Sequence, residues 1–287
     1  MKKILFHIAG FVSQSVNKIK NGKNIPLNRQ SALIAVLVCA LLVQGTVLGR
    51  NVYIDVFGEC TDWGLSFPEE GKTPVGNSSV EFLRQYDAYF VNEAAKGKIY
   101  LTFDAGYENG YTETILDTLK EKNVKAAFFI VGHYVQSNPE LVKRMLEEGH
   151  LVCNHTLDHP DMTSLGEREF TLQLTDMEKT FEETVGCPIN KFYRPPSGKY
   201  NEDNLSWAKN AGYTTVLWSL AYADWDNEKQ PTKATAFEKI LPRLHDGCIL
   251  LLHSTSKTNS LILGELIDNI RAKGYSFSTL DELGADS

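Results

Sequence analysis

The stretch Lys98–Gly132, KIYLTFDAGYENGYTETILDTLKEKNVKAAFFIVG, decides the fold. KIYLTF is an apolar run of strand length. TETILDTLKEKN carries apolar residues at helical spacing, which predicts an amphipathic helix. KAAFFIVG returns to a strand. Two strands separated by a helix imply parallel pairing through a crossover.

The rhythm continues to the C-terminus. PELVKRMLEEG reads as a helix opened by Pro139 and closed by Gly149. HLVCNH is a strand, REFTLQLTDMEKTFEETVG a long helix, and KFYRPP a strand leading into a loop. NEDNLSWAKNAG, TAFEKILPRL and SLILGELIDNIRAKG are helices, alternating with the strands TTVLWSL, GCILLLH and YSFSTL. Seven or so such units predict an α/β fold, a distorted (β/α)7-type barrel that is closed or nearly closed, over residues 98–284. Upstream, residues 50–97 read as a linker that becomes an N-terminal extension of the domain. A helix is expected there over Val80–Asn92.

Residues 1–30 are basic and polar, and the run from Ala32 to Gly49 carries no charge. Roughly 18 apolar residues lie at the lower limit for crossing a bilayer. The cationic flank predicts that the N-terminus stays in the cytoplasm. Residues 31–49 are therefore expected to be a transmembrane anchor, with a cleaved signal peptide as the alternative. Either reading puts the chain beyond Arg50 outside the cytoplasm. At 287 residues the chain suits one domain of roughly 200 residues plus appendages, or two small domains. Its net charge of −7 argues against nucleic acid as a partner, and a monomer is expected. None of the five cysteines forms a C-x-x-C pair, and Cys153 and Cys248 sit in strand-like stretches that favour buried free thiols. A disulfide among Cys60, Cys153, Cys187 and Cys248 stays open on compartment grounds.

In barrels of this kind, sites form where strands run out into the following loops. Asp104 follows one strand, His155 and His159 another, and Arg194 a third; Asp224 comes soon after a fourth, and His253 ends a fifth. Each alone has a plain explanation as a turn, cap or core residue. Their recurrence at successive strand ends points to one site.

The chain resembles the polysaccharide deacetylase superfamily, the NodB-homology or carbohydrate esterase family 4 domain. The resemblance rests on LTFDAG (Leu101–Gly106), NHTLDH (Asn154–His159), RPPSG (Arg194–Gly198), WSLAYADW (Trp218–Trp225) and LLLH (Leu250–His253). Further likeness in LTFDAGYENGYT, HPDMT, LLHSTSKTN, WGLSF and YDAYF is to the δ-lactam-biosynthetic de-N-acetylases of spore-cortex peptidoglycan. The resemblance implies an N-deacetylase acting on peptidoglycan N-acetylmuramic acid from which the peptide stem has been removed. The resemblance also implies Asp104 as general base held by Arg194, and His253 as general acid oriented by Asp224.

 The guanidinium fork is expected to grip that carboxylate through two nitrogens. The Ser197 backbone N–H occupies the oxyanion-donor position, and Trp218 and Trp225 are assigned to the groove wall, with core packing the alternative for Trp218.

By the same resemblance, His155 and His159 are the two metal histidines for a divalent ion such as zinc, cobalt or manganese. The family's usual third ligand is an aspartate directly after the base. Here that position is Ala105, so the ion is expected to be weakly held, with Glu108 or Asp161 as candidate extra ligands. The δ-lactam branch also lacks that aspartate. The small Ala105 side chain is expected to leave room for the lactyl ether of the substrate. The implied partners are peptidoglycan glycan strands and, through residues 31–49, the membrane. An N-acetylglucosamine or chito-oligosaccharide deacetylase and an inactive, tethered glycan-binding module are the alternatives.

Overall fold

A computed structural model describes residues 60–284. The basic segment and the apolar run at 31–49 lie outside the described residues. Among the described residues no helix is long and apolar enough to cross a membrane.

Short strands β1 (Thr61–Asp62), β2 (Leu65–Ser66) and β3 (Val75–Gly76) come first. Helix α1 (Val80–Arg84) and strand β4 (Ala88–Tyr89) follow. The repeating part runs β5 (Lys98–Ala105), α2 (Thr112–Glu121), β6 (Ala127–Ile130), α3 (Gly132–Ser137), α4 (Pro139–Glu147) and β7 (Leu151–Asn154). It continues through α5 (Glu167–Val185), β8 (Asn190–Tyr193), β9 (Lys199–Tyr200), α6 (Glu202–Asn210) and β10 (Thr214–Val216). Helix α7 (Lys233–Ile240), β11 (Cys248–His253), α8 (Lys257–Ala272) and β12 (Ser276–Ser278) complete it.

The main sheet is parallel, in the order β11-β5-β6-β7-β8-β10-β4, with β12 also paired to β5. It is a half-barrel. Among the described residues its two ends meet at isolated bridges, Val91 to Cys248 and Leu220 to Leu250, in place of a continuous ladder. The expected helix over Val80–Asn92 stops at Arg84. Asp87 takes a left-handed turn (φ 52°), and the chain then joins the sheet as β4 beside β10. A turn of that hand cannot continue a right-handed helix.

Alternation along the buried strands sets the site. Ile99, Leu101, Phe103 and Ala105 of β5 pack into the large core with Leu250 and Leu252 of β11 and the apolar faces of α2 and α8. Tyr100 belongs to a second cluster on the other face, with Phe129, Cys153 and Ile249. Thr102 and Asp104 share that second face, as do Leu251 and His253 on β11, because side chains alternate along a strand. The β5–β11 ladder pairs Thr102 with Leu251's position and Asp104 with His253's. A one-residue slip would turn both polar ends into the helix-facing core. Cys153 and Cys248 are buried free thiols, and Cys60 and Cys187 are also unpaired by disulfide.

Gly247 docks the N-terminal extension against β11. Its φ is +68°, and a Cβ there would stand 1.8 Å from the Asn92 carbonyl oxygen, whose own N–H donates to the Gly247 carbonyl at 3.0 Å. Gly247→Ala is expected to cost about 2–5 kcal/mol through the left-handed backbone and the clash together. The midpoint of urea unfolding reads this directly; an unchanged midpoint would remove the docking role.

Candidate active site

The C-terminal ends of β5, β6, β7, β10 and β11 surround a cleft of about 990 Å³. Asp104, His155, His159, Ser197, Trp218, Trp225 and His253 line it. Arg194 and Asp224 are fully buried and reach this cluster from behind. The sequence-predicted residues therefore gather in one place.

Asp104 and Arg194 form a buried ion pair. Arg194 Nη1 donates to Asp104 Oδ1 at 2.7 Å. The expected two-nitrogen grip is not made, because the other donors are used elsewhere: Nη2 reaches Thr102 Oγ1 at 3.0 Å and Nε the Val216 carbonyl at 3.0 Å. The guanidinium lies 4.1 Å from the centre of the Phe129 ring. Burial raises the Asp104 pKa, but the charge and hydrogen bond of Arg194, together with the charge of His253, outweigh it and hold the carboxyl below its ordinary value. It is ionised and has its second oxygen left for chemistry.

His253 and Asp224 form the second pair. His253 Nδ1 donates to Asp224 Oδ1 at 2.7 Å, and the His253 backbone N–H donates to Oδ2 at 2.9 Å. Burial lowers the imidazole pKa, but the hydrogen bond and charge of Asp224 prevail and raise it. With Nδ1 protonated toward the carboxylate, Nε2 is the nitrogen that can exchange a proton with a bound molecule.

His155 is different. Its Nδ1 lies 2.8 Å from the Arg194 carbonyl oxygen, which can only accept, so Nδ1 carries the proton. Burial outweighs the attraction of Asp104 and pushes its pKa down to about 4, so the ring is neutral near pH 7. Its bare Nε2 faces Asp104 Oδ2 at 3.6 Å, two acceptors too far apart for a hydrogen bond. His159 stacks edge-on at 4.8 Å between ring centres. Two non-glycine left-handed residues, Thr156 (φ 72°) and His159 (φ 57°), curl this loop so that both rings share the cleft. A neutral imidazole fixed by a backbone carbonyl beside an ionised carboxylate is a fitting donor set for a divalent cation. Among the described residues no group of three His, Cys, Asp or Glu side chains is arranged as a metal cluster. His155 and His159 would hold the ion, with water or substrate completing its shell.

Three expectations need correction. Glu108 is no spare ligand: its Oε1 accepts from the N–H groups of Tyr111 and Thr112 at the start of α2, and its Oε2 from Tyr134. Asp161 pairs with Lys199 at 2.8 Å and caps the turn at Thr163. Ala105 is fully buried in the helix-facing core and does not line the cleft, so its small size leaves no room for a substrate group. The period-two alternation from Asp104 already implied this.

The cleft also holds residues that sequence reasoning missed. His133, Tyr107 and Tyr222 line it. His133 is exposed on α3, just past the end of β6, where the strand-end rule would have found it. Gly132 makes this possible, since a Cβ there would stand 2.6 Å from Leu157 of the histidine loop. Trp218 is half-buried, its carbonyl accepting from Trp63 Nε1 at 2.9 Å. Trp225 is 62% exposed, too open for a core role, and offers an apolar face at the rim.

The polysaccharide deacetylase family model matches residues 92–216. The chain is 36% identical to the peptidoglycan-N-acetylmuramic acid deacetylase PdaA of Bacillus subtilis, covering 78% of this chain and 86% of that one. The chain belongs to the polysaccharide deacetylase family. It is accordingly a hydrolase of amide bonds. The solved structure of Bacillus subtilis PdaA, a family 4 carbohydrate esterase, superposes with a TM-score of 0.76 at 35% identity, covering 79% of this chain and 98% of that one. The peptidoglycan-N-acetylglucosamine deacetylase PgdA of Listeria monocytogenes is 38% identical over 77% of this chain and 47% of its own length. Family members are metal-dependent deacetylases, in keeping with the ligand-ready imidazole of His155.

Proposed function

We propose that this protein removes the acetyl group from N-acetylmuramic acid in stem-free peptidoglycan strands. The freed amine then closes on the lactyl carboxyl to give muramic δ-lactam. The observation that carries the deacetylase chemistry is the pairing of Asp104 with His253 across one ladder, each backed by an opposite charge. The muramyl substrate is supported by the likeness to PdaA over most of both chains. The apolar run at 31–49 supports tethering of domain 98–284 outside the cytoplasm.

In this reading Asp104 Oδ2, the oxygen Arg194 leaves open, takes a proton from the attacking water. The Ser197 N–H stabilises the oxyanion that forms on the acetyl carbonyl, in a turn where Ser197 takes φ 57°. His253 Nε2 gives its proton to the departing nitrogen while Asp224 holds the ring. A divalent ion on His155 and His159, when bound, would acidify water and polarise the carbonyl. Trp225 receives a sugar face at the rim.

The active form needs Asp104 ionised and His253 protonated. Its folded-state pKa being lowered, Asp104 switches activity off on the acid side, below the usual carboxylate range. Its pKa being raised, His253 switches activity off on the alkaline side, above the usual histidine value. A bell-shaped kcat/KM profile is expected, and His253→Ala should abolish the alkaline limb. A profile with no alkaline limb in the unaltered enzyme would contradict the acid role.

The substrate is tested by mass spectrometry of defined glycan strands, amidase-treated and intact, with and without chelator. Deacetylated muramyl residues in the treated strands alone are expected. Deacetylated glucosaminyl residues in both would favour the second reading, which the PgdA likeness supports. No release of acetate from any strand would favour a binding module.

A further inference from the structure

Asp224 is buried, has no lysine or arginine partner among the described residues, and three donors face its carboxylate. Two come from His253. The third is Asn259 Nδ2, at 2.6 Å from Oδ2. Asn259 is fully buried in the first turn of the 16-residue helix α8. Its Nδ2 also reaches the His253 carbonyl at 3.1 Å. Both contacts are with oxygens that only accept, so the amide nitrogen must face them. The amide oxygen in turn accepts from the Tyr222 hydroxyl.

One side chain thus grips the carboxylate that holds the imidazole and the backbone that carries it. A ring of contacts fixes its place. Ser256 Oγ accepts from the Asn259 N–H at 3.2 Å and donates to Gln230 Oε1 at 2.7 Å. Gln230 Nε2 donates back to the Asp224 carbonyl at 2.9 Å. Without Asn259, Oδ2 keeps only the His253 backbone N–H, and the carboxylate can rotate away from the imidazole.

We infer that Asn259 is a positioning residue for His253, acting through Asp224, with Tyr222 setting the orientation of its amide. The inference rests on the reading of His253 as the general acid. It is tested with the full chain, stem-free muramyl glycan and the variants Asn259→Ala, Asn259→Asp, Tyr222→Phe, Asp224→Asn and the double variant Asp224→Asn with Asn259→Ala. Asn259→Ala is expected to lower kcat by about 10- to 100-fold, the scale of one charge-assisted hydrogen bond, with KM little changed. Asn259→Asp keeps the shape but sets a carboxylate against Asp224, and should be at least as slow. Tyr222→Phe should lose less. On the Asp224→Asn background, Asn259→Ala should lower kcat no further, since the coupling is then already gone.

A wild-type kcat in folded Asn259→Ala, or an equal factor of loss on both backgrounds, overturns the inference. A wild-type kcat in Asp224→Asn overturns the acid reading itself, whatever Asn259 does. Should Asn259→Ala fail to fold, Asn259→Ser replaces it in the same cycle and is read by the same two criteria.

Discussion

Asp104→Asn is expected to lower kcat by about 10³-fold or more, with the fold retained. The loss of a general base alone is worth about 10²- to 10⁴-fold. Here the change does more, because Asp104 sits against three other groups of the site. The neutral amide no longer compensates the buried Arg194 guanidinium at 2.7 Å, nor favours the protonated form of His253. Its nitrogen can also turn toward His155 Nε2, which the carboxylate oxygen faces at 3.6 Å, and occupy that lone pair. Acetate release on muramyl glycan measures the effect, and circular dichroism melting checks the fold. Activity within tenfold of the unaltered enzyme would remove Asp104 as the base.

The second large effect falls on stability and activity together. Arg194→Leu leaves a buried carboxylate unpaired, a change that costs about 3–5 kcal/mol when a buried pair loses one member. It also frees the Thr102 hydroxyl and the Val216 carbonyl from their donors. Arg194→Lys should rescue little. An ammonium on a flexible stem cannot reach Asp104, Thr102 and Val216 at once from one plane. Both variants are expected to lower the urea midpoint and to lose most of kcat. A lysine variant with wild-type stability and rate would show that charge alone suffices there.

The strand-end rule found the cluster because apolar runs in this chain are parallel strands and their polar termini converge. Asp104, His155, Arg194 and His253 were legible for that reason. Asn259 was not, since it lies six residues past a strand, on a helix, and acts through another side chain. Glu108 was misread because a carboxylate near a strand end serves equally as a cap for the next helix. The Val80–Asn92 segment has helical apolar spacing, yet Asp87 and the pairing of β4 with β10 override it. The strand–helix rhythm suggests a closed or nearly closed barrel, yet the sheet is a half-barrel whose ends meet at two isolated bridges, a feature that leaves no repeating mark in the sequence.

The ladder between β5 and β11 has a consequence for how such an enzyme can change. One of its rungs pairs Asp104 directly with His253, and their separation is a property of the sheet's main-chain hydrogen bonds. Trp225, His133 and Tyr107 stand beyond the strands, where insertions and exchanges leave those rungs untouched. The spacing of the Asp104–His253 pair is therefore fixed by the sheet, whereas the side chains of the rim can change without moving it.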